Sequence, residues 1–148
     1  MESEGENMRT NLYYAAAAGL MWLTVLIHIF GGGPEVHTPI QASDLSPIVR
    51  GVAAVIWHAI TWILILLAVA IGWLSRKENP ALNAMVIATQ LGFSVLFVYY
   101  GLTLLGTLWL MPQWTIFTGI PVLMMVGQWR HMRTEKPDTM AGQSVAAR

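Results

Sequence analysis

The chain has 148 residues, 55% of them hydrophobic and only 11% charged, with a mean hydropathy of +0.56. Soluble domains carry about 25% charged residues, so a deficit gathered into long uncharged runs points to a bilayer as solvent. Eight acids balance eight lysines and arginines, leaving no basic field for nucleic acid, and the absence of cysteine excludes disulfides, thiolate metal sites, iron–sulfur clusters and cysteine nucleophiles.

The first nine residues, "MESEGENMR", hold three glutamates and one arginine. That is the wrong bias for a signal peptide, and no small-x-small cleavage site follows Phe30. The first uncharged run, 12–30, is therefore read as a retained helix, since about 20 residues at 1.5 Å each cross a hydrocarbon layer of about 30 Å. "GGGP" follows at 31–34. Three glycines let a chain leave a helix in a conformation most residues avoid, and proline opposes its continuation. A tight helix exit and a loop over 31–51 are expected there.

A second span covers 52–74, and "SRKENP" then ends in a helix-initiating proline. The uncharged block 81–129 is too long for one helix, and Pro112 is the natural break. A third span is placed at 81–105 and a fourth at 112–129, the latter carrying Pro121, which a membrane helix tolerates when neighbours satisfy the freed carbonyl. The polar stretch 134–148 reads as a disordered tail. The fold class is an all-α integral membrane protein, a four-transmembrane-helix bundle forming one domain over 1–148.

Charge sets the direction. Arg9, Arg76, Lys77, Arg130, Arg133, Lys136 and Arg148 lie on one side, and Arg50 alone on the other. The positive-inside rule then places both termini in the cytoplasm of a multi-pass inner (plasma) membrane protein, with the 31–51 loop outside or periplasmic. Tyr13, Tyr14, Trp73 and Trp129 fall near the inner interface, and Trp109 and Trp114 near the outer one, as an aromatic belt requires.

Helix–helix contacts in lipid favour small residues and occasional polar ones. Three stripes at helical spacing fit: Ala17, Met21, Thr24 and His28; Ala54, His58, Thr61, Ile65, Ala68 and Gly72; and Asn83, Gln90, Ser94, Phe97 and Gly101. Thr24, Thr61, Gln90 and Ser94 are the polar packing residues of these faces.

His28 and His58 both fall on inward stripes of the outer half, and polar groups inside spans are functional hypotheses by default. A loop folded back over the bundle mouth would add Glu35 and His37. Four nitrogen and oxygen donors would then converge, a set suited to zinc, copper, iron or nickel. Tyr99, Tyr100 and Gln113 sit at the same depth and are candidate pocket-lining residues. Haem held between His28 and His58 is a second version of this site, but no second intramembrane histidine pair accompanies it; a quinone-like molecule is a third. The expected function is a small membrane-embedded ligand-binding protein or accessory subunit. The competing readings are a purely structural partner of a larger membrane complex and an oligomeric transporter or channel protomer. Its partners would be membrane lipids and either further copies or a larger assembly. The spans carry no charged residue of the kind that drives ion coupling, and the residues establish no enzyme. These motifs do not tie the chain to a named family.

Overall fold

The computed structural model describes residues 10–135, and every regular element among them is helical. Helix α1 (Leu12–Ile27) starts at Asn11, whose side chain accepts the Tyr13 N–H at 3.1 Å. It runs without interruption into a π-helical segment (His28–His37) and a short α2 (Thr38–Gln41). The turn over 42–46 leads to α3 (Pro47–Leu74), capped by Ser46, and α4 (Pro80–Leu104) follows with Asn79 as its cap. Both begin on a proline, whose missing N–H costs nothing in a first turn. α5 (Trp114–Glu135) completes the set.

Among the described residues, three helices are long and apolar enough to cross a membrane: the continuous 30-residue helix Leu12–Gln41, the 28 residues of α3 and the 25 of α4. α5 is not among them, because Thr115, Thr118, Gln128, Arg130 and Arg133 dilute its apolar run. The four long helices form a ring in which α1 lies between α3 and α5, while α4 packs on α5 and more thinly on α3. Met21, Leu64, Ile71, Val86, Ile120 and Met124 fill the centre, and Phe117 packs against Phe93 and Phe97 with centroids 5.2 and 5.8 Å away. The outside is covered by leucine, isoleucine, valine and tryptophan, a surface that suits lipid better than water.

One end of the ring is closed by a polar clamp. The Asn11 N–H donates to Ser75 O at 2.8 Å and its side-chain amide to Gly127 O at 3.3 Å. The buried Tyr14 hydroxyl donates to Asn83 Oδ1 at 3.0 Å, and Asn83 Nδ2 donates to Gln128 Oε1 at 3.0 Å. α1, α4, α5 and the end of α3 are thereby joined. Lys77, Arg130 and Arg133 lie over the rings of Trp73, Tyr13 and Trp129 at 5.7, 5.4 and 3.7 Å around this end, and His131 reaches Glu78 at 3.1 Å.

Several expectations need correcting. The chain does not leave its helix at Gly31–Pro34; none of the three glycines takes a positive φ, and among the described residues Gly106 alone does, at +67°. In an α-helix the Pro34 ring would collide with the carbonyl four residues back. Widening to π geometry, with bonds one residue longer, relieves that collision, and glycines place no side chains in the way. The expected 31–51 loop therefore shrinks to a turn over 42–46, and the next helix begins at Pro47 rather than Val52. α4 matches its expected span to within one residue at each end. α5 begins two residues after Pro112, which accepts the Thr115 N–H at 3.0 Å, and it contains Pro121 as expected. α5 also runs on to Glu135, through the first two residues of the expected tail; 1–9 and 136–148 lie outside the described residues.

The inward stripes hold for α1 (Ala17, Met21, Thr24) and for α4 (Asn83, Gln90, Ser94, Gly101). On α3 the buried line is Leu64, Leu67, Ala68 and Ile71, and His58 is exposed. Six residues are about 1.7 turns, which sets His58 a third of a turn away from Leu64.

Candidate functional site

The end opposite the clamp is organised around Trp57. Its indole lies on the backbone of Gly32, so closely that a Cβ there would stand 3.0 Å from Trp57 Cη2. The His28 ring stacks on Trp57 with centroids 4.0 Å apart and planes 17° from parallel. His37 lies over the same indole at 5.5 Å and 23°, and it also meets His58 edge-on at 5.5 Å and 64°. Two histidines are thus gathered by one tryptophan, and a third, from the other helix, joins them through His37.

Hydrogen bonds fix His28. The Thr61 hydroxyl donates to Trp57 O at 3.0 Å, and His28 Nε2 stands 3.1 Å from the same hydroxyl. A hydroxyl has one proton to give, so Thr61 accepts from His28, whose Nε2 carries the hydrogen. That bond and the stacking hold the His28 ring against Trp57, while Nδ1 keeps its lone pair.

The π segment makes this arrangement possible. His28 and His37 are nine residues apart. At 3.6 residues per turn nine residues make 2.5 turns and opposite faces. With hydrogen bonds spanning one residue more, the same nine residues take about two turns, and both imidazoles reach the same indole. Beyond the site, Gln41 and Arg50 tie α2 to α3 reciprocally: Gln41 Nε2 donates to Arg50 O at 3.1 Å and Arg50 Nη1 to Gln41 O at 3.0 Å.

Of the four candidate ligands, His28, His37 and His58 therefore come together around Trp57, with His37 between the other two in the chain of contacts. Glu35 is exposed and forms no ion pair with a histidine among the described residues, and no group of three or more acidic or imidazole side chains there is set to hold a metal ion. Tyr99 and Tyr100 are exposed on α4 and pack edge-on against each other at 5.1 Å; Gln113 is exposed just before α5. Among the described residues these three make no ring contact or hydrogen bond with the histidines.

The polar packing residues divide. Ser94 joins α4 to α5 through Thr118 Oγ1 at 2.7 Å, and Thr61 joins α3 to the π segment through His28. Thr24 bonds its own helix at Leu20 O, 2.8 Å away. Gln90 is fully buried; its amide nitrogen reaches Val86 O at 3.4 Å and Met124 Sδ at 3.8 Å, while Oε1 has no partner.

The role of Trp57 as a platform carries no signal in the sequence, because the seat that Gly32 opens for an indole is visible only in the fold. Asn83, Tyr14 and Gln128 were equally hidden as a clamp, although Asn83 stood on its predicted stripe. No protein-family model, curated protein or solved structure matches this chain.

Proposed function

We propose that this chain is a small multi-span binding protein or accessory subunit of the inner (plasma) membrane, and that its hairpin end, facing outside, takes up a borderline transition-metal ion through His37 and His58. The observation that carries the reading is the 5.5 Å separation of these two imidazole centroids, from different helices. Metal–nitrogen bonds of about 2.0–2.1 Å at a tetrahedral angle put two imidazole centroids roughly 5 Å apart. Imidazole without thiolate suits zinc, copper or nickel.

Two further points support it. His58 is exposed among Val55, Ile56 and Trp62, where a polar side chain is costly and marks a functional position by default. The segment that presents His37 is π-helical, a geometry frequent at functional sites. In this reading His28, Thr61 and Trp57 hold the pair in place.

The test is metal content of protein purified in mild detergent, stripped with chelator and dialysed against zinc or copper. Retention that is lost in both His37→Ala and His58→Ala supports the site. Wild-type protein that retains neither metal, or variants that retain it fully, would overturn it; a Soret band would redirect the reading to haem. Orientation is tested separately: a reporter active only in the periplasm should stay silent when fused after Arg148.

A further inference from the structure

We infer that two copies of the chain meet along the outward line of α3 and share one metal ion, held by His37 and His58 of each. The inference rests on the reading that this pair takes a metal ion. Two imidazoles fill only half of a coordination sphere that closed sites of zinc complete with four protein donors. No third imidazole or carboxylate among the described residues joins them. The site of one chain is therefore half a site.

Among the described residues, the surface around it is left exposed by the other helices. Ile48, Val52, Val55, Ala59, Trp62, Leu66, Val69 and Trp73 run down α3 at alternating spacings of four and three residues, and all are exposed. His58 borders the middle of this line, beside the small Ala59. Spacing of this kind is the seam along which two helices pack with a left-handed crossing. A two-fold axis along the membrane normal would set α3 beside its own copy in parallel. Each residue then lies at the same depth as its counterpart, so the same histidine pair is presented twice at one level. Such a contact would also remove His58 from lipid, where it is costly.

The experiment is native mass spectrometry of the full chain in mild detergent, metal-stripped and then supplied with zinc chloride. The expected result is a shift from one chain to two on adding zinc, at one zinc per two chains, with dimerisation at least tenfold weaker in chelator. His58→Ala and His37→Ala should each abolish the zinc-dependent dimer; His58 is exposed, so the fold should survive, and unchanged helical circular dichroism verifies it. Should one variant misfold, the other decides. One zinc on each single chain overturns the sharing and leaves the metal reading standing. No zinc at all overturns both. A dimer that ignores zinc and persists in the histidine variants places the contact elsewhere and overturns the inference.

Discussion

Gly127→Ala tests whether the approach of α1 to α5 at the clamp is as close as described. A Cβ at position 127 would stand 2.7 Å from Tyr13 Cβ, 3.2 Å from Asn11 Oδ1 and 3.2 Å from Tyr14 Cδ2. Carbon atoms ordinarily rest about 3.5–4.0 Å apart, so α1 must retreat by roughly 1 Å. Tyr13 Cβ is bonded to the backbone and cannot swing aside as a side-chain tip would. Overpacking of this kind costs about 1–3 kcal/mol. The retreat also stretches the 3.3 Å bond from Asn11 to Gly127 O beyond hydrogen-bonding range, a loss of about 0.5–1.5 kcal/mol. Against these stands a gain of up to about 1 kcal/mol, since alanine favours helix over glycine. The net expectation is destabilisation by about 1–3 kcal/mol. Gly119 on the same helix is exposed and a Cβ there meets nothing within 4 Å, so Gly119→Ala should be neutral or slightly stabilising. Reversible unfolding in mixed micelles, followed by circular dichroism against denaturing detergent, measures both. If Gly127→Ala is as stable as Gly119→Ala, the close crossing is refuted.

The remaining expectations concern polar groups and the platform. Gln90→Leu removes a buried carbonyl with no partner among the described residues, so the unfolding free energy should rise by about 1 kcal/mol or more; a fall would mean that Oε1 is satisfied after all. Asn83→Leu strands the Tyr14 hydroxyl and the Gln128 amide together and should cost about 2–3 kcal/mol, whereas Tyr14→Phe should cost only about 0.6–1.5 kcal/mol; equal losses would show that Asn83 does not join the two. Gly32→Val drives its side chain into the Trp57 ring, 3.0 Å from the position of a Cβ, while at Gly33 a Cβ meets nothing within 4 Å. Near-ultraviolet circular dichroism should therefore change for the first and stay unaltered for Gly33→Val, and identical spectra for both would remove Gly32 as the seat of the indole.

Much of the helical layout was readable because it follows from local rules. Pro80 opens α4 as its missing N–H allows, and Asn83, Gln90 and Ser94 sit at spacings that put them on one face whatever surrounds them. The end of the first helix was not readable by the same rules. Glycine and proline at 31–34 argue for an exit, yet the helix continues because the π widening and the indole of Trp57 make continuation acceptable, and both are tertiary facts. His58 was misplaced for a geometric reason. The stripe from Ala54 to Gly72 keeps to one side of the helix, since 18 residues make five full turns, but that side lies about a quarter of a turn from the buried line of Leu64, Leu67, Ala68 and Ile71, with only Ala68 common to both. His37 does come near His28, though by a different cause than a folded loop: the wider coil turns it to the side of His28.

The clamp has a mechanical consequence. At that end the four long helices are stitched by hydrogen bonds between different elements, three of which join Asn11 and Asn83 to their partners at 2.8–3.0 Å and a fourth of which holds Gly127 at 3.3 Å. At the far end the first helix is held to α3 by stacked rings, by the bond between His28 and Thr61 and by the two bonds between Gln41 and Arg50, and among the described residues no hydrogen bond there links this pair to α4 or α5. The ring therefore behaves like a sheaf bound near its base. Local opening is cheapest where such bonds are fewest. Displacements should grow with distance from the binding, and the amide protons of 28–37, where no residue is buried, should exchange with solvent sooner than those of 12–18.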